Sequence, residues 1–262
     1  MAEVTPVRLK PETLQAYDDY IRNEESAMDQ TLLDGVFLWS DREPARARRV
    51  AKGDILAEYT RGKGPHRVPS GLIHDWIGAA LIPDAGLPET LATIQNYDDH
   101  KDIYKPEVID SRLIGRQGDD FQIYLRVLKK KIITVVVDTD HDVHYYQVDG
   151  KRGGCRSRTT RSAEVDDAGK PNEIVHPPDT GYGFLWRLNS YWRFAENDGG
   201  VTVECRAITL TRDIPAVLRL VIDPIVRSLP KEALIQTLRA TRQAIRGTRQ
   251  NRFCQASQRD KL

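Results

Sequence analysis

Acidic and histidine side chains alternate along one segment of this 262-residue chain, and they are its first candidates for chemistry. Asp138, Asp140 and Asp142 stand at every second position, and His144 follows them. On a β-strand, same-face neighbours lie about 6.6–7 Å apart, which is too far for adjacent members to hold one metal ion. An EF-hand calcium loop would also require glycine where Val143 stands. The segment is therefore predicted to be a solvated acidic face.

The direction of His141 depends on the strand register, and the sequence leaves two registers open. In the first, His141 points into the interior with Val137 and Thr139, and the aspartates point outward. In the second, three carboxylates enter the interior, which is costly unless they are paired. We favour the first register. An inward imidazole could act as a general acid or base, although a hydrogen-bonded structural histidine is the simpler interpretation.

Arginines follow on the next predicted strand. We expect most of Arg156, Arg158 and Arg161 to pair with the aspartates on the outer face. Arg161 has the parity of Ser157 and Thr159, so strict alternation would turn it inward. There its guanidinium could hold a ligand carboxylate or phosphate with two hydrogen bonds.

Other catalytic or metal-binding motifs are missing from the sequence. Gly62-Lys63-Gly64 is too short for a phosphate-binding loop, and neither a nucleophile elbow nor a histidine-rich zinc spacing occurs. Cys155, Cys205 and Cys254 are far apart, which argues against a disulfide scaffold or a thiolate metal site. The first two lie in strand patterns and are predicted to be buried and inert. We therefore assign no catalytic residue, metal or cofactor.

Composition narrows the class of protein. Hydrophobic residues make up 40% of the chain, enough for one well-buried core with an accessory region. The net charge of +1 gives no case for nucleic-acid binding. No apolar run approaches the ~20 residues that cross a bilayer. We expect a soluble protein without a signal peptide, although Met1-Ala2-Glu3 is compatible with a removed export leader. The compartment and any partner protein stay open.

The first 68 residues are predicted to form an N-terminal extension without a core of its own. It comprises a helix over residues 11–33, a second helix over 43–52 and a strand over 54–59. One ordered domain, 69–246, is predicted to follow, and then a disordered tail, 247–262. The domain has a strand at 72–82 and helices at 87–97 and 98–105. Further strands are predicted at 107–114, 120–128, 132–148, 151–165, 183–195 and 201–211.

The last two strands can be checked against one register. A two-residue turn at Asp198-Gly199 is a favoured hairpin dipeptide, and it makes Phe194 face Val203 and Trp192 face Cys205. The opposite face then pairs Arg193 with Glu204 and Tyr191 with Arg206, giving an ion pair and a cation–π contact. The residues predicted to point inward are Trp186, Leu188, Trp192 and Phe194.

The segment after Pro215 has apolar residues at helical spacing as far as Ile245. Pro224 and Pro230 cannot both lie inside one straight helix. We therefore expect a broken segment over residues 215–229, which could act as a gate, and a helix from about Leu229 to Ile245.

The order of one strand, two helices, six strands and a long C-terminal helix resembles the START-like (SRPBCC) superfamily of polyketide cyclases and lipid-transfer domains. The resemblance covers about residues 68–246. It rests on residues 71–83 and 87–97, Tyr97-Asp98-Asp99-His100, Tyr191-Trp192-Arg193-Phe194, Asp198-Gly199-Gly200-Val201 and Thr211-Arg212-Asp213-Ile214-Pro215. It implies an α+β helix-grip fold, in which a curved antiparallel sheet wraps around the long C-terminal helix. It also implies a cavity between sheet and helix for lipids, sterols, polyketides or other apolar molecules. These motifs specify fold better than function, since some members are enzymes and many only bind.

Three hypotheses for function follow. The first is binding or transport of a hydrophobic or amphipathic small molecule such as a lipid. The second is a cyclase or dehydratase, in which His141, Arg161 or a cavity tyrosine moves protons. The third is an interaction module, which an exposed apolar patch at Phe37-Leu38-Trp39 would favour. The predicted ligand-binding residues lie on the inward face of the sheet or in the gate: Trp76, Phe121, Leu125, Val137, His141, Arg161, Trp186, Ser190, Trp192, Ala207, Val221 and Ile225.

Overall fold

The computed structural model describes residues 6–33, 35–130, 134–213 and 229–248. Val221 and Ile225, and with them most of the predicted gate, lie outside these residues, as does Cys254. Most of the predicted tail also lies outside them. Within the described ranges, no helix is both long enough and apolar enough to cross a membrane.

Five α-helices and twelve strands make up the described chain. The helices are α1 (Pro11–Leu33), α2 (Pro44–Ala51), α3 (Leu87–Ile94), α4 (His100–Ile103) and α5 (229–248). The strands are β1 (Val7–Arg8), β2 (Leu56–Tyr59), β3 (His66–Val68), β4 (Gly71–Pro83), β5 (Val108–Gln117), β6 (Asp120–Lys130), β7 (Thr134–Asp149), β8 (Arg152–Asp166), β9 (Ile174–Val175), β10 (Thr180–Gly181), β11 (Arg187–Asn197) and β12 (Gly200–Arg212). The long elements agree with the sequence prediction, and the two- and three-residue strands were not predicted.

Ten of the strands form one open antiparallel sheet. Its order is β2-β4-β12-β11-β8-β7-β6-β5, with β3 beside β4 and β9 beside β8, while β1 and β10 pair separately. The predicted hairpin register is confirmed, because Phe194 faces Val203 and Trp192 faces Cys205. The turn needs its glycine, since Gly200 has φ of +130° and an added Cβ would lie 2.1 Å from the Ile82 carbonyl oxygen. The turn residues of the sequence therefore determine how β11 pairs with β12 at the centre of the sheet.

Helix α1 covers one face of the sheet, which we call the outer face. Tyr17 and Ile21 pack against Ile208 and Leu210, and the Tyr17 hydroxyl donates to the Ile208 carbonyl oxygen at 2.9 Å. Beside them, buried Arg206 pairs with Asp75 and with Glu24 of the helix. The outer face at the sheet centre is therefore covered by the N-terminal segment of the same chain.

The strands β2 and β3 also join the N-terminal residues to the sheet, since both pair with β4. Phe37 and Leu38 are buried and Trp39 is half-buried, with the Arg46 guanidinium 3.8 Å from the centre of its ring. The exposed apolar patch that the interaction hypothesis required at these three residues is therefore not present.

The predicted ion pair between Arg193 and Glu204 is also replaced by other partners, although the two residues do face each other. Arg193 donates to the carbonyl oxygens of Phe37 and Met28, at 2.7 and 3.0 Å. Glu204 accepts from the backbone N–H groups of Trp39 and Ser40 at 2.8 and 2.6 Å. The two charged groups therefore bind the backbone of the N-terminal segment.

Helices α3 and α5 cover part of the opposite face, which we call the inner face. Leu234 and Leu238 of α5 pack with Trp76, Phe194 and other apolar residues of the central strands. Gly78 lets the helix approach, because a Cβ there would lie 2.9 Å from Leu238 Cδ1 and 2.6 Å from the Leu56 carbonyl oxygen. The helix therefore rests on the β2–β4–β12 side of the sheet.

Candidate ligand-binding face

The strand pairings bring the inner-face side chains into rows that run across the strands. One row crosses β6, β7, β8, β11, β12 and β4, and it consists of Ile123, His141, Thr159, Leu188, Thr209 and His74. The next row consists of Phe121, Val143, Ser157, Ser190, Ala207 and Trp76. Strands lie about 4.8 Å apart, so row neighbours are within contact distance. The rows place a polar cluster, His141, Ser157, Thr159 and Ser190, among apolar side chains.

His141 is the most unusual member of this cluster. Its Nδ1 atom lies 3.4 Å from Ser157 Oγ and 3.5 Å from Thr159 Oγ1, both long contacts. Its Nε2 atom is buried and has no hydrogen-bond partner among the residues that the structure describes. Burial lowers the pKa of His141 to about 4, so the ring is neutral at pH 7. An unsatisfied buried polar atom costs roughly 1–3 kcal/mol, which a ligand group bonded to Nε2 would recover.

The surface beside His141 is only partly covered. Ser157, Ser190 and Ala207 are half-buried, as are Leu125 and Trp192. Interior side chains of a fully packed core would show no such remaining exposure. The face thus offers apolar contact area around hydroxyl groups.

Eight of the predicted ligand-binding residues lie on the inner face, in the registers given above: Trp76, Phe121, Leu125, Val137, His141, Ser190, Trp192 and Ala207. Trp76 and Phe121 are largely buried in packed clusters, where they support the face. The three aspartates of β7 point to the outer face, as the favoured register predicted. Asp138 there bonds Arg126 at 2.7 Å. Whether these eight residues contact a ligand stays a prediction.

Arg161 does not point inward, and this prediction was wrong. The pairing shifts between Asp140, which faces Arg161, and His141, which faces Thr159, so one extra residue of β8 is inserted at Thr160. This β-bulge reverses the parity that simple alternation assumed. Arg161 consequently lies 3.7 Å from Asp140 on the outer face. Arg161 therefore cannot bind an anionic ligand group at the inner face.

Trp186 was also predicted to point inward, and it does not. Strand β11 begins one residue later, at Arg187, so the alternation of the strand does not extend to Trp186. The chain turns at Gly183, whose φ is +81°. The indole of Trp186 packs with Tyr17 and Leu210 on the outer side. It belongs to the contact between α1 and the sheet.

The other arginines of β8 have partners that the sequence did not indicate. Arg156 pairs with Asp29, and Arg158 lies 3.6 Å from Asp18, both in α1. Ser157 and Thr159 were not predicted as site residues. Only the pairing of β7 with β8 places their hydroxyl groups at His141. No sequence motif signals this, because the two strands are related through a bulge.

The cysteines of the central strands are buried, as predicted. Burial raises the pKa of the Cys155 thiol to about 12 and also raises that of Cys205. Both are therefore thiols at pH 7 and poor nucleophiles. Across the described ranges, no group of three or more His, Cys, Asp or Glu side chains is placed to hold a metal ion.

Two surface clefts lie away from the polar cluster. One of about 490 Å³ is lined by residues of two hairpin ends, including Asp149, Lys151 and Glu196. The other, of about 250 Å³, lies between the N-terminal segment and β12 and includes Trp186. Neither contains an inner-face residue of the two rows.

The arrangement of elements is the helix-grip arrangement of START-like proteins that the sequence resembles. Two helices, α3 and α4, follow strand β4, six long strands continue the sheet, and α5 covers the inner face. The fold class is therefore α+β, in a helix-grip arrangement with an additional N-terminal helix on the outer face.

Comparisons with known proteins find only distant similarity. No protein-family model matches the chain, and no curated protein matches it. Among solved structures, it is similar to a STAR-related lipid transfer protein of Xanthomonas axonopodis, at 16% identity over 72% of this chain and 98% of that one, with a TM-score of 0.44. Human STARD10 is 11% identical over 78% and 80% of the two chains, with a TM-score of 0.42. The Zhui aromatase/cyclase of a Streptomyces is 12% identical over 69% and 96%, with a TM-score of 0.44. Likeness this distant carries no argument about ligand or chemistry.

Proposed function

We propose that this protein binds a hydrophobic or amphipathic small molecule on the inner face of its sheet, beside the C-terminal helix. The observation that carries the proposal is the buried Nε2 atom of His141, which lacks a partner within the described ranges, next to half-buried hydroxyl and apolar side chains. Ligand sites have this composition, with mostly apolar walls and few polar groups that fix orientation. Covering about 300 Å² of apolar surface would contribute roughly 7 kcal/mol before the costs of ordering.

Binding is tested by extracting the purified protein with organic solvent after native mass spectrometry. We expect a small apolar molecule to co-purify, or an added fluorescent apolar probe to bind with saturation. The variant Ala207→Trp places a large ring on the half-buried inner face and should abolish binding. Thr160→Trp adds the same ring at the exposed bulge of β8 and is the matched control.

Each result of that experiment is informative. Loss of binding in Ala207→Trp with retention in Thr160→Trp supports the inner face as the site. If the wild-type protein carries nothing and binds no apolar probe, the proposed function is wrong. If both variants bind as the wild type does, the ligand lies elsewhere, and the two surface clefts described above become the sites to test.

A cyclase-like enzyme is a second candidate, supported by the convergence of His141, Ser157 and Thr159. Such chemistry needs at least two polar groups that act on one substrate. A histidine with a pKa of about 4 is, however, a weak base at neutral pH. The lowered pKa of His141 thus favours binding over proton transfer.

A further inference from the structure

Charged groups lie at the ends of the inner-face rows and not at the polar cluster. Between β6 and β4, the described residues of the two rows include no Lys, Arg, Asp or Glu. Beyond one end of the second row, Arg116 of β5 stacks on the Phe121 ring at 4.4 Å, and at the other end Lys231 of α5 lies 5.7 Å from the centre of the Trp76 ring.

Two glutamates share the inward parity of their strands but are bound near the strand ends. Glu164 accepts from the backbone N–H of Phe184 at 2.7 Å, and Glu196 accepts from that of Leu87 at 2.5 Å. An anionic head group placed at the cluster would therefore meet no countercharge among these residues.

The hydrogen bonds of Thr159 constrain the proton on His141. The Thr159 hydroxyl donates its single proton to the Leu188 carbonyl oxygen at 2.6 Å and accepts from the Leu188 N–H at 2.9 Å. Towards His141 it can therefore only accept. Its contact with Nδ1 is a hydrogen bond only when Nδ1 carries the proton, and Ser157 Oγ can accept from the same N–H. An unprotonated Nδ1 could pair with Ser157 alone, as an acceptor, so the Nδ1-protonated tautomer is the one that satisfies both contacts.

This tautomer leaves Nε2 with a lone pair and no hydrogen. Nε2 is the ring nitrogen farther from the backbone, so it projects beyond Nδ1 from the sheet. A neutral imidazole with a protonated Nδ1 accepts one hydrogen bond at Nε2 and donates none there. The matching ligand group is a hydroxyl, and an ether or ketone oxygen has no proton to offer.

We propose that the inner face takes an uncharged amphipathic molecule whose hydroxyl group donates to Nε2 of His141, in preference to a fatty acid or another anionic lipid. This inference rests on the proposed function, because it specifies the ligand of the same face. The apolar part of the molecule lies against Leu125, Trp192 and Ala207, which retain exposed surface. Ser190, in the row beside His141, offers a second hydroxyl contact.

Three probes of equal size test the proposal: 1-dodecanol, 1-methoxyundecane and dodecanoate at pH 8. Each is measured by displacement of the fluorescent apolar probe from the full chain. We expect the alcohol to bind on the order of tenfold more tightly than the ether, because only the alcohol pairs Nε2. We expect the acid to bind more weakly than the alcohol, because its charge loses water without gaining a counterion.

Variants at His141 separate recognition from folding. In His141→Phe, the preference for alcohol over ether should disappear while the ether affinity stays the same. His141→Gln keeps a hydrogen-bonding side chain and serves if the phenylalanine variant does not fold. A purely structural histidine would change both affinities together.

The outcomes distinguish failure of the proposed function from failure of the inference about the ligand hydroxyl group. If none of the three probes displaces the fluorescent probe and nothing co-purifies, the proposed function itself fails. If all three bind equally, or the ether or the acid binds best, the inner face binds apolar molecules but the inference about the hydroxyl group is overturned. A preference for the alcohol that persists in His141→Phe also overturns it.

Discussion

Single residues decide what this face can recognise, and His141 is the clearest case. Its orientation followed from the alternation of β7, in which the aspartates point outward and the imidazole inward. Its partners did not follow, because the pairing of β7 with β8 shifts between Gln147 and Asp149, beside the hairpin turn, so counting from the turn does not give the residue opposite His141. A second shift, at Thr160, explains why Arg161 lies on the other side of the sheet from Thr159. The alternation of side chains predicts their direction along a regular strand, but a single inserted residue reverses the prediction for every residue beyond it.

The buried histidines should make stability depend on pH. Burial lowers the pKa of both His141 and His100 to about 4, from an ordinary value of 6.5. The unfolded chain thus binds these protons more readily than the folded chain. Their contribution is complete above pH 6.5 and is lost as the pH falls toward 4.

The variant His141→Gln tests whether burial of this histidine makes the protein less stable as the pH falls. Its free energy of unfolding should fall less between pH 7 and pH 5 than that of the wild type, by on the order of 2 kcal/mol. Urea unfolding at several pH values measures the difference. Glu164 and Glu204, whose pKa values burial raises, act in the opposite direction but are common to both proteins. Identical slopes would show that His141 is not buried in its neutral form.

At the scale of elements, the sequence correctly predicted the features that hydrophobic periodicity and turn residues determine. The helix over 11–33 and the β11–β12 register were both correct, because Pro11 and the Asp198-Gly199 turn are local signals. The position of α1 on the outer face was not predicted. It depends on Arg206 meeting Glu24, which stands 182 residues away in the chain. Long-range pairs of this kind leave no local pattern.

Arg206 should hold α1 on the sheet. It is buried between Asp75 and Glu24, so Arg206→Met leaves two buried carboxylates without this partner. Removing one member of a buried ion pair typically costs about 3–5 kcal/mol. Arg158→Met removes an exposed pair to the same helix and should cost less than about 1 kcal/mol. Chemical denaturation compares the two, and equal small losses would contradict an anchoring role for Arg206.

At the scale of the whole molecule, the predicted boundary at residue 68 can be tested directly. The chain 69–262 would lose α1, β2 and β3, and would expose Ile73, Ile208 and Leu210 on the outer face. We expect it to aggregate or to melt without cooperativity. Deletion of residues 249–262 is the control and should leave the melting temperature unchanged. Circular dichroism and size-exclusion chromatography report both results. A cooperative, monomeric 69–262 would establish an independent domain.

The pairing of α1 with the last strand also has a consequence for biosynthesis. The Tyr17 hydroxyl bonds a carbonyl oxygen 191 residues later, and β4, which pairs with β2 and β3, also pairs with the distant strand β12. A ribosome adds about 5–20 residues per second, so α1 waits roughly 10–40 s for its partner in β12. During that interval, the apolar surface of α1 faces the cell. The nascent chain should therefore depend on chaperones until β12 has emerged from the exit tunnel.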